Sequence, residues 1–125
     1  MATAPLAVEE RAVALKAFQR ICGQWGLDDD RQAVLLAVHP RSIKRWKEHP
    51  ENATLHRDQV ERISYVLGIY NGLHAILDES PFADEWIHRE NRDFGGRTPL
   101  QRMLAGNVGD LAFVRHYVDA WRAGW

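Results

Sequence analysis

Three groups of residues have the types and spacings that chemistry needs. The first is basic. In "PRSIKRWKEH", Arg41, Lys44 and Arg45 fall within about 100° of one another on a helix, and Ile43 and Trp46 lie opposite. Such a helix can dock Ile43 and Trp46 on its own core and present Ser42 and the three cations to a DNA major groove. The same pattern also serves as the solvated face of a structural helix. Glu48 inside the basic arc, and Asp28, Asp29 and Asp30 at the start of the preceding helix, would repel phosphates.

The second group is the histidines. His39, His49, His56, His74, His88 and His116 form no pair at i, i+3 or i+4. Asp84 with His88 and His116 with Asp119 have ligand-like spacing, but surface hydrogen bonding accounts for them better than a metal does. There is no H-E-x-x-H, C-x-x-C, Walker or G-x-S-x-G element, and Cys22 sits in an apolar helix face, so no catalytic residue, metal ligand or cofactor site is expected. The chain reads as a binding protein and not an enzyme.

The third group is the final segment, "HYVDAWRAGW". Chain ends fray unless tied down. Trp121 shares a helical stripe with Val114, Tyr117 and Val118, which suits a core, whereas Trp125 stands beyond Ala123-Gly124 and is better placed to meet a partner or a second copy.

These groups must be positioned by helices, and no alternating run is long enough for a strand. The first helix spans about Val8 to Cys22, partly buries Val8, Val13, Leu15, Phe18 and Ile21, and ends near Gly23 and Gly26. Asp28 caps a second, short helix through Val34, Leu35 and Leu36. His39-Pro40 then opens the basic third helix, giving the proportions of a helix-turn-helix. Polar "PENATLHRD" marks a boundary, so residues 1–54 and 55–125 are expected as two units. A D-x-x-E capping box at Asp58 and Glu61 opens a long helix to about Leu77. Its two apolar stripes, Val60/Ile63/Leu67/Tyr70 and Val66/Ile69/Leu73/Ile76, imply a central helix or one shared with a second copy, and Gly68-x-x-x-Gly72 admits a close neighbour. Ser80-Pro81 starts the next helix. Thr98, Pro99 and Gln101 make a complete capping box before a stop at Gly106, and Asn107 caps the last helix. Gly95-Gly96 implies a tight bend.

Composition narrows the function classes. The 125 residues carry a net charge of -1, and residues 1–56 hold eight Lys/Arg against seven Asp/Glu, so any basic site is local. The longest uncharged run, Ile63 to Leu77, is fifteen residues, short of the roughly 20 that span a bilayer. One cysteine and no secretory signal suit the cytoplasm, with no membrane partner.

In "WIHRENRDFGGRTPLQRMLAG" and "VRHYVDAWRAGW", the second half resembles the toxin-binding domain of Xre/MbcA/ParS-type antitoxins, partners of RES-domain toxins. The resemblance rests on Trp86, Asn91, Phe94-Gly95-Gly96, Thr98-Pro99-Leu100, Gly106 and the closing helix. The first half, with Trp25-Gly26-Leu27 and "LLAVHPRSIKRW", resembles the family's Xre-like helix-turn-helix. It departs at Ala37, where glycine is expected at a positive φ and alanine costs about 1 kcal/mol, at His39, where serine is common, and at Glu90, where proline is. The resemblance implies an all-α antitoxin that holds a NAD-consuming or ADP-ribosylating RES enzyme inactive, as a homodimer or a hetero-oligomer with the toxin. It further implies that Trp121, Arg122, Gly124 and Trp125 reach the toxin's NAD cleft, with Arg97 and Phe94 as secondary contacts. Arg41, Ser42, Lys44 and Arg45 would face operator DNA. The alternative is a repressor whose C-terminal half mainly dimerises.

Overall fold

The computed structural model describes residues 8–78 and 81–124, with Val8 described by its backbone alone. All regular structure among these residues is helical, as the sequence leads one to expect. Helix α1 spans Val8–Gln24, α2 Asp29–Leu36, α3 Pro40–Glu48, α4 Arg57–Leu77, α5 Phe82–Glu85, α6 Pro99–Met103 and α7 Val108–Arg122. Single 3-10 turns follow α3 (Pro50–Asn52), extend α5 (Trp86–His88) and precede α6 (Arg92–Phe94).

Helix α1 runs through Gly23 and stops at Gly26, whose φ is +70°. Leu27 N donates to Cys22 O and Gly26 N to Gly23 O, the paired bonds of a Schellman turn. The end of α2 repeats the motif. Val38 N donates to Ala33 O and Ala37 N to Val34 O, but the left-handed position, φ +55°, is held by alanine. The strain expected at Ala37 is therefore present. Asp28 caps α2 by accepting from Arg31 N at 2.9 Å. His39 replaces serine as the cap of α3 by accepting from Arg41 N through Nδ1 at 3.0 Å, which requires a lone pair on that nitrogen.

Two local expectations are corrected. Val13 is 68% exposed, so α1 buries Leu15, Phe18, Ile21 and Cys22 but turns Val13 outward. The expectation for the Val8 side chain lies outside the described residues. The capping box of α4 belongs to His56 and Gln59, two residues before Asp58 and Glu61. His56 N donates to Gln59 Oε1 at 3.1 Å, while Asp58 accepts from Arg62. The Asp-x-x-Glu spacing is present, but the chain is already helical at Arg57, so Asp58 stands inside the first turn.

Both apolar stripes of α4 are used. Ile63, Val66, Ile69 and Leu73 are buried, with Val60, Leu67, Tyr70 and Ile76 partly so, because α1, α2, α5 and α7 all pack on this helix. The close neighbour at Gly68 and Gly72 is α7. A Cβ on Gly72 would lie 2.5 Å from Val118 Cγ1, and one on Gly68 would overlap the Arg115 guanidinium. The core is continuous from Phe18 and Trp25, through α4, to Ile87, Met103 and Val114. Cys22 is enclosed in it, and burial pushes its thiol pKa far up, as befits a structural residue. Helix α5 starts at Phe82 after Pro81, whereas Ser80 lies outside the described residues.

Candidate functional site

Two surfaces answer to the sequence. On α3, Ile43 and Trp46 are each 3% exposed and face the core, while Arg41, Lys44 and Arg45 project outward with Ser42 half-buried between them. Of the acidic groups nearby, Asp28 caps its helix and Asp29 pairs with Lys47, which ties α3 to the start of α2. Asp30 and Glu48 remain exposed, Glu48 on the same helix as the cations.

The second surface is aromatic. The loop before α6 closes on itself: Asn91 N donates to Arg97 O and Gly96 N to Asn91 O, with Gly95 and Gly96 at φ +68° and +81°. This bend pushes the Phe94 ring inward. Phe94 is 9% exposed, its centroid 5.0 Å from Tyr117, 5.7 Å from Phe113 and 5.9 Å from Trp86. Trp86 then meets Trp121 at 5.8 Å, so the half-buried Trp121 belongs to a ring chain running back into the domain. Tyr117 Oη donates to Asp93 at 2.7 Å; burial chiefly, and this bond secondarily, raise the phenol's pKa. At the far end the Arg102 guanidinium lies 4.0 Å over the Phe113 ring and donates to Asp110 at 2.7 Å.

Arg122, Gly124 and Arg97 are exposed, and Gly124 turns the backbone at φ +84°. Trp125 lies outside the described residues. Thr98 and Gln101 form the expected capping box, with bonds of 2.8 and 3.0 Å, which fixes the angle between loop and α6. The ligand-like pairs do not act as pairs. Asp84 bonds His74 at 2.8 Å, His88 bonds Trp25 O at 2.9 Å, and Asp119 accepts from Arg115.

Residues 4–68 match the antitoxin Xre-like helix-turn-helix domain, and residues 73–124 match the antitoxin Xre/MbcA/ParS C-terminal toxin-binding domain. The chain belongs to the Xre/MbcA/ParS antitoxin family. It is also 41% identical over 111 residues to the uncharacterized protein y4oB of Sinorhizobium fredii (strain NBRC 101917 / NGR234), covering 88% of this chain and 84% of that one. The antitoxin thus has a toxin-binding domain and a helix-turn-helix suited to DNA. No helix among its described residues is long and apolar enough to cross a membrane.

Sequence reasoning missed the groups that join the antitoxin's two surfaces. Arg62 is 7% exposed and donates to Leu35 O at 3.3 Å, to Gly106 O at 3.2 Å and to Asp58 at 3.1 Å. Gln59 reaches Leu36 O at 3.2 Å. The last carbonyls of α2, just before the turn into the basic helix, are therefore satisfied from α4, and the same guanidinium holds the turn that starts α7. The signal was available. Gln59 and Arg62 continue the 3-4 spacing of Val66, Ile69 and Leu73, so two polar residues sit in a buried seam.

Proposed function

We propose that this antitoxin silences a RES-domain toxin, an enzyme that breaks down NAD or transfers its ADP-ribosyl group, by seating residues 121–125 in the toxin's NAD cleft. The observation that carries the reading is the Trp86–Trp121 contact, which fixes the last turn of α7 to the body and leaves Arg122 exposed at its tip. A plug held this way loses little freedom on binding. Arg122 supplies a planar cation for acidic groups of the cleft, and Trp121 supplies rigid apolar area at its mouth. Trp125 joins the plug from sequence alone. Arg97 contributes at the rim, while Phe94 acts from beneath by holding Trp86 and Tyr117. Inhibition is by occupancy in the cytoplasm, with no chemical step or cofactor on the antitoxin's side. In this scheme residues 1–54 are the operator-facing unit and 55–125 the toxin-facing unit, with α4 serving both.

The test is to titrate the antitoxin, intact and lacking residues 122–125, against its cognate RES enzyme while following binding and NAD consumption together. The shortened chain keeps Trp121 in place. It is expected to bind but no longer inhibit; equal inhibition by both chains would show that the body of the domain does the occluding.

A second reading, operator binding through Arg41, Ser42, Lys44 and Arg45, is favoured by the outward projection of the three cations over a buried Ile43/Trp46 back. It predicts salt-dependent binding to the DNA upstream of its own gene that falls on Lys44→Ala or Arg45→Ala.

A further inference from the structure

We infer that Phe82 is an anchor for the toxin: its ring enters an apolar recess beside the NAD cleft and holds the complex together, while the tail does the occluding. The inference rests on the tail reading above and assigns the contact that reading leaves open. A stable protein interface buries roughly 1,200 Å² or more, and residues 122–125 are too few to supply it. The body of the domain must supply the rest.

Among the described residues matched to the toxin-binding domain, two large apolar side chains are exposed, Phe82 at 60% and Phe113 at 40%. Phe113 is already engaged. The Arg102 guanidinium lies over its face at 4.0 Å, and Phe94 meets it edge-on at 5.7 Å. Phe82 joins neither the core nor any ring pair among the described residues, so its ring adds little to the fold and offers a partner the kind of aromatic area that interface cores favour.

The segment that carries Phe82 is held on every other side. Ala83 and Ile87 are fully buried, Asp84 bonds His74 at 2.8 Å, Glu85 accepts from Arg89 at 2.8 Å, and His88 bonds Trp25 O at 2.9 Å. Its backbone is therefore ordered before a partner arrives, which lowers the cost of binding.

Position identifies the partner. Trp86 N donates to Phe82 O, which sets the two residues one helical turn apart, and Trp86 meets Trp121 at 5.8 Å. The surface that begins at Phe82 thus continues through Trp86 to the last turn of α7. All of it lies within residues 73–124, matched to the toxin-binding domain, and past the end of the helix-turn-helix match at residue 68. A toxin that takes the tail meets Phe82 on the same approach. Glu85 and Arg89 satisfy each other on the following turn, so apolar packing and not charge recognises the recess.

Binding kinetics and NAD consumption, followed with the cognate toxin for the full chain, test the anchor. Phe82→Ala should raise the Kd roughly tenfold or more, mainly through faster dissociation, with helical circular dichroism and thermal midpoint unchanged. At saturating concentration it should still inhibit fully. Phe82→Leu should stay within about threefold of wild type, because it keeps most of the apolar contact. Phe82→Glu, a residue well suited to a first helical turn, should bind at least as weakly as Phe82→Ala and keeps the test open if alanine lowers the thermal midpoint. The chain lacking residues 122–125 should lose the same factor from Phe82→Ala as the intact chain, since anchor and tail act independently. Unchanged binding by both Phe82→Ala and Phe82→Glu overturns the anchor, even where loss of residues 122–125 abolishes inhibition and upholds the tail. The converse result, weakened binding by Phe82→Ala with full inhibition by the shortened chain, upholds the anchor and overturns the tail. Loss of inhibition by Phe82→Ala at full occupancy would make Phe82 part of the plug and overturn the division of roles. Wild-type toxin binding with reduced self-association would give this face to a second copy and overturn the proposal.

Discussion

At the N-terminal half of α4, Gln59 and Arg62 reach the end of α2 through directed hydrogen bonds, whereas at its C-terminal half Gly68 and Gly72 let α7 approach until side chains meet backbone. The first joint depends on donors in the right place and the second on the absence of atoms. They fail differently: the first when a group is removed, the second when one is added. Each holds one candidate surface, the basic helix beyond α2 and the aromatic chain that ends at Trp121.

The largest effect is expected where donors are lost. Arg62→Met keeps most of the volume but leaves the Leu35 and Gly106 carbonyls without this donor, each costing about 1–3 kcal/mol when buried. A loss of about 3 kcal/mol in urea unfolding is expected. A loss below about 1 kcal/mol would mean that water replaces the guanidinium and that the directed joint is not what fixes α2.

Next comes a paired test of the second joint. Gly72→Ala meets Val118, whose β-branched side chain has one favoured rotamer on a helix, so it should cost about 1–3 kcal/mol despite alanine's better helix propensity. Gly68→Ala meets only the guanidinium end of Arg115, a flexible side chain that can swing away at the loss of its 3.3 Å bond to Ser64 O and of its exposed pairing with Asp119. That change should fall within about 0.5 kcal/mol of neutral, as gained propensity offsets a half-exposed bond. Equal losses at the two positions would place the close approach elsewhere.

The same contrast explains what the sequence made legible. The helices, the Thr98 capping box, the bend at Gly95-Gly96 and the two-sided burial of α4 all follow from local rules, because period and cap chemistry act over a few residues. Arg62 escaped because a charge in an apolar seam looks like solvent-facing polarity until a partner 44 residues away, Gly106, comes beside it. Val13 escaped for the opposite reason: its stripe was counted as core although α1 turns it outward. The α4 box was displaced by two residues because His56, a less usual cap, competes with Asp58 for the same role. At the aromatic surface, the stripe through Trp121 was visible, but its bracing by Trp86 depends on a loop closure that no period encodes.

The two Schellman turns allow a smaller and opposite test. Gly26 and Ala37 hold equivalent left-handed positions at the ends of α1 and α2, so Ala37→Gly should relieve a strain that Gly26 never had. The αL penalty of about 1–2 kcal/mol is partly offset by glycine's greater freedom when unfolded, which leaves a gain of about 0.5–1 kcal/mol in chemical unfolding. No gain would indicate that the bonds to Leu35 and Leu36 from α4 already fix the turn whichever residue occupies it.

The smallest expected effect concerns charge at the directed joint. Arg102 and Asp110 straddle the turn whose Gly106 carbonyl Arg62 holds, and the Arg102 hydrogen bond is the main reason the Asp110 pKa lies below its usual value of 3.8. A carboxyl with a depressed folded pKa contributes stability that is fully present above the unfolded value and disappears as pH falls through the folded one. Because Arg102 is partly exposed, the contribution is at most about 1 kcal/mol. Asp110→Asn should therefore be less stable than wild type by about that much at pH 7, and the gap should narrow steadily below pH 4. Urea unfolding of both proteins across that range reads the difference directly. A gap that stays constant with pH would assign the effect of Asp110 to its bond with Asn107 N alone, a capping role that asparagine performs less well, and would remove charge from the account of how α7 is held.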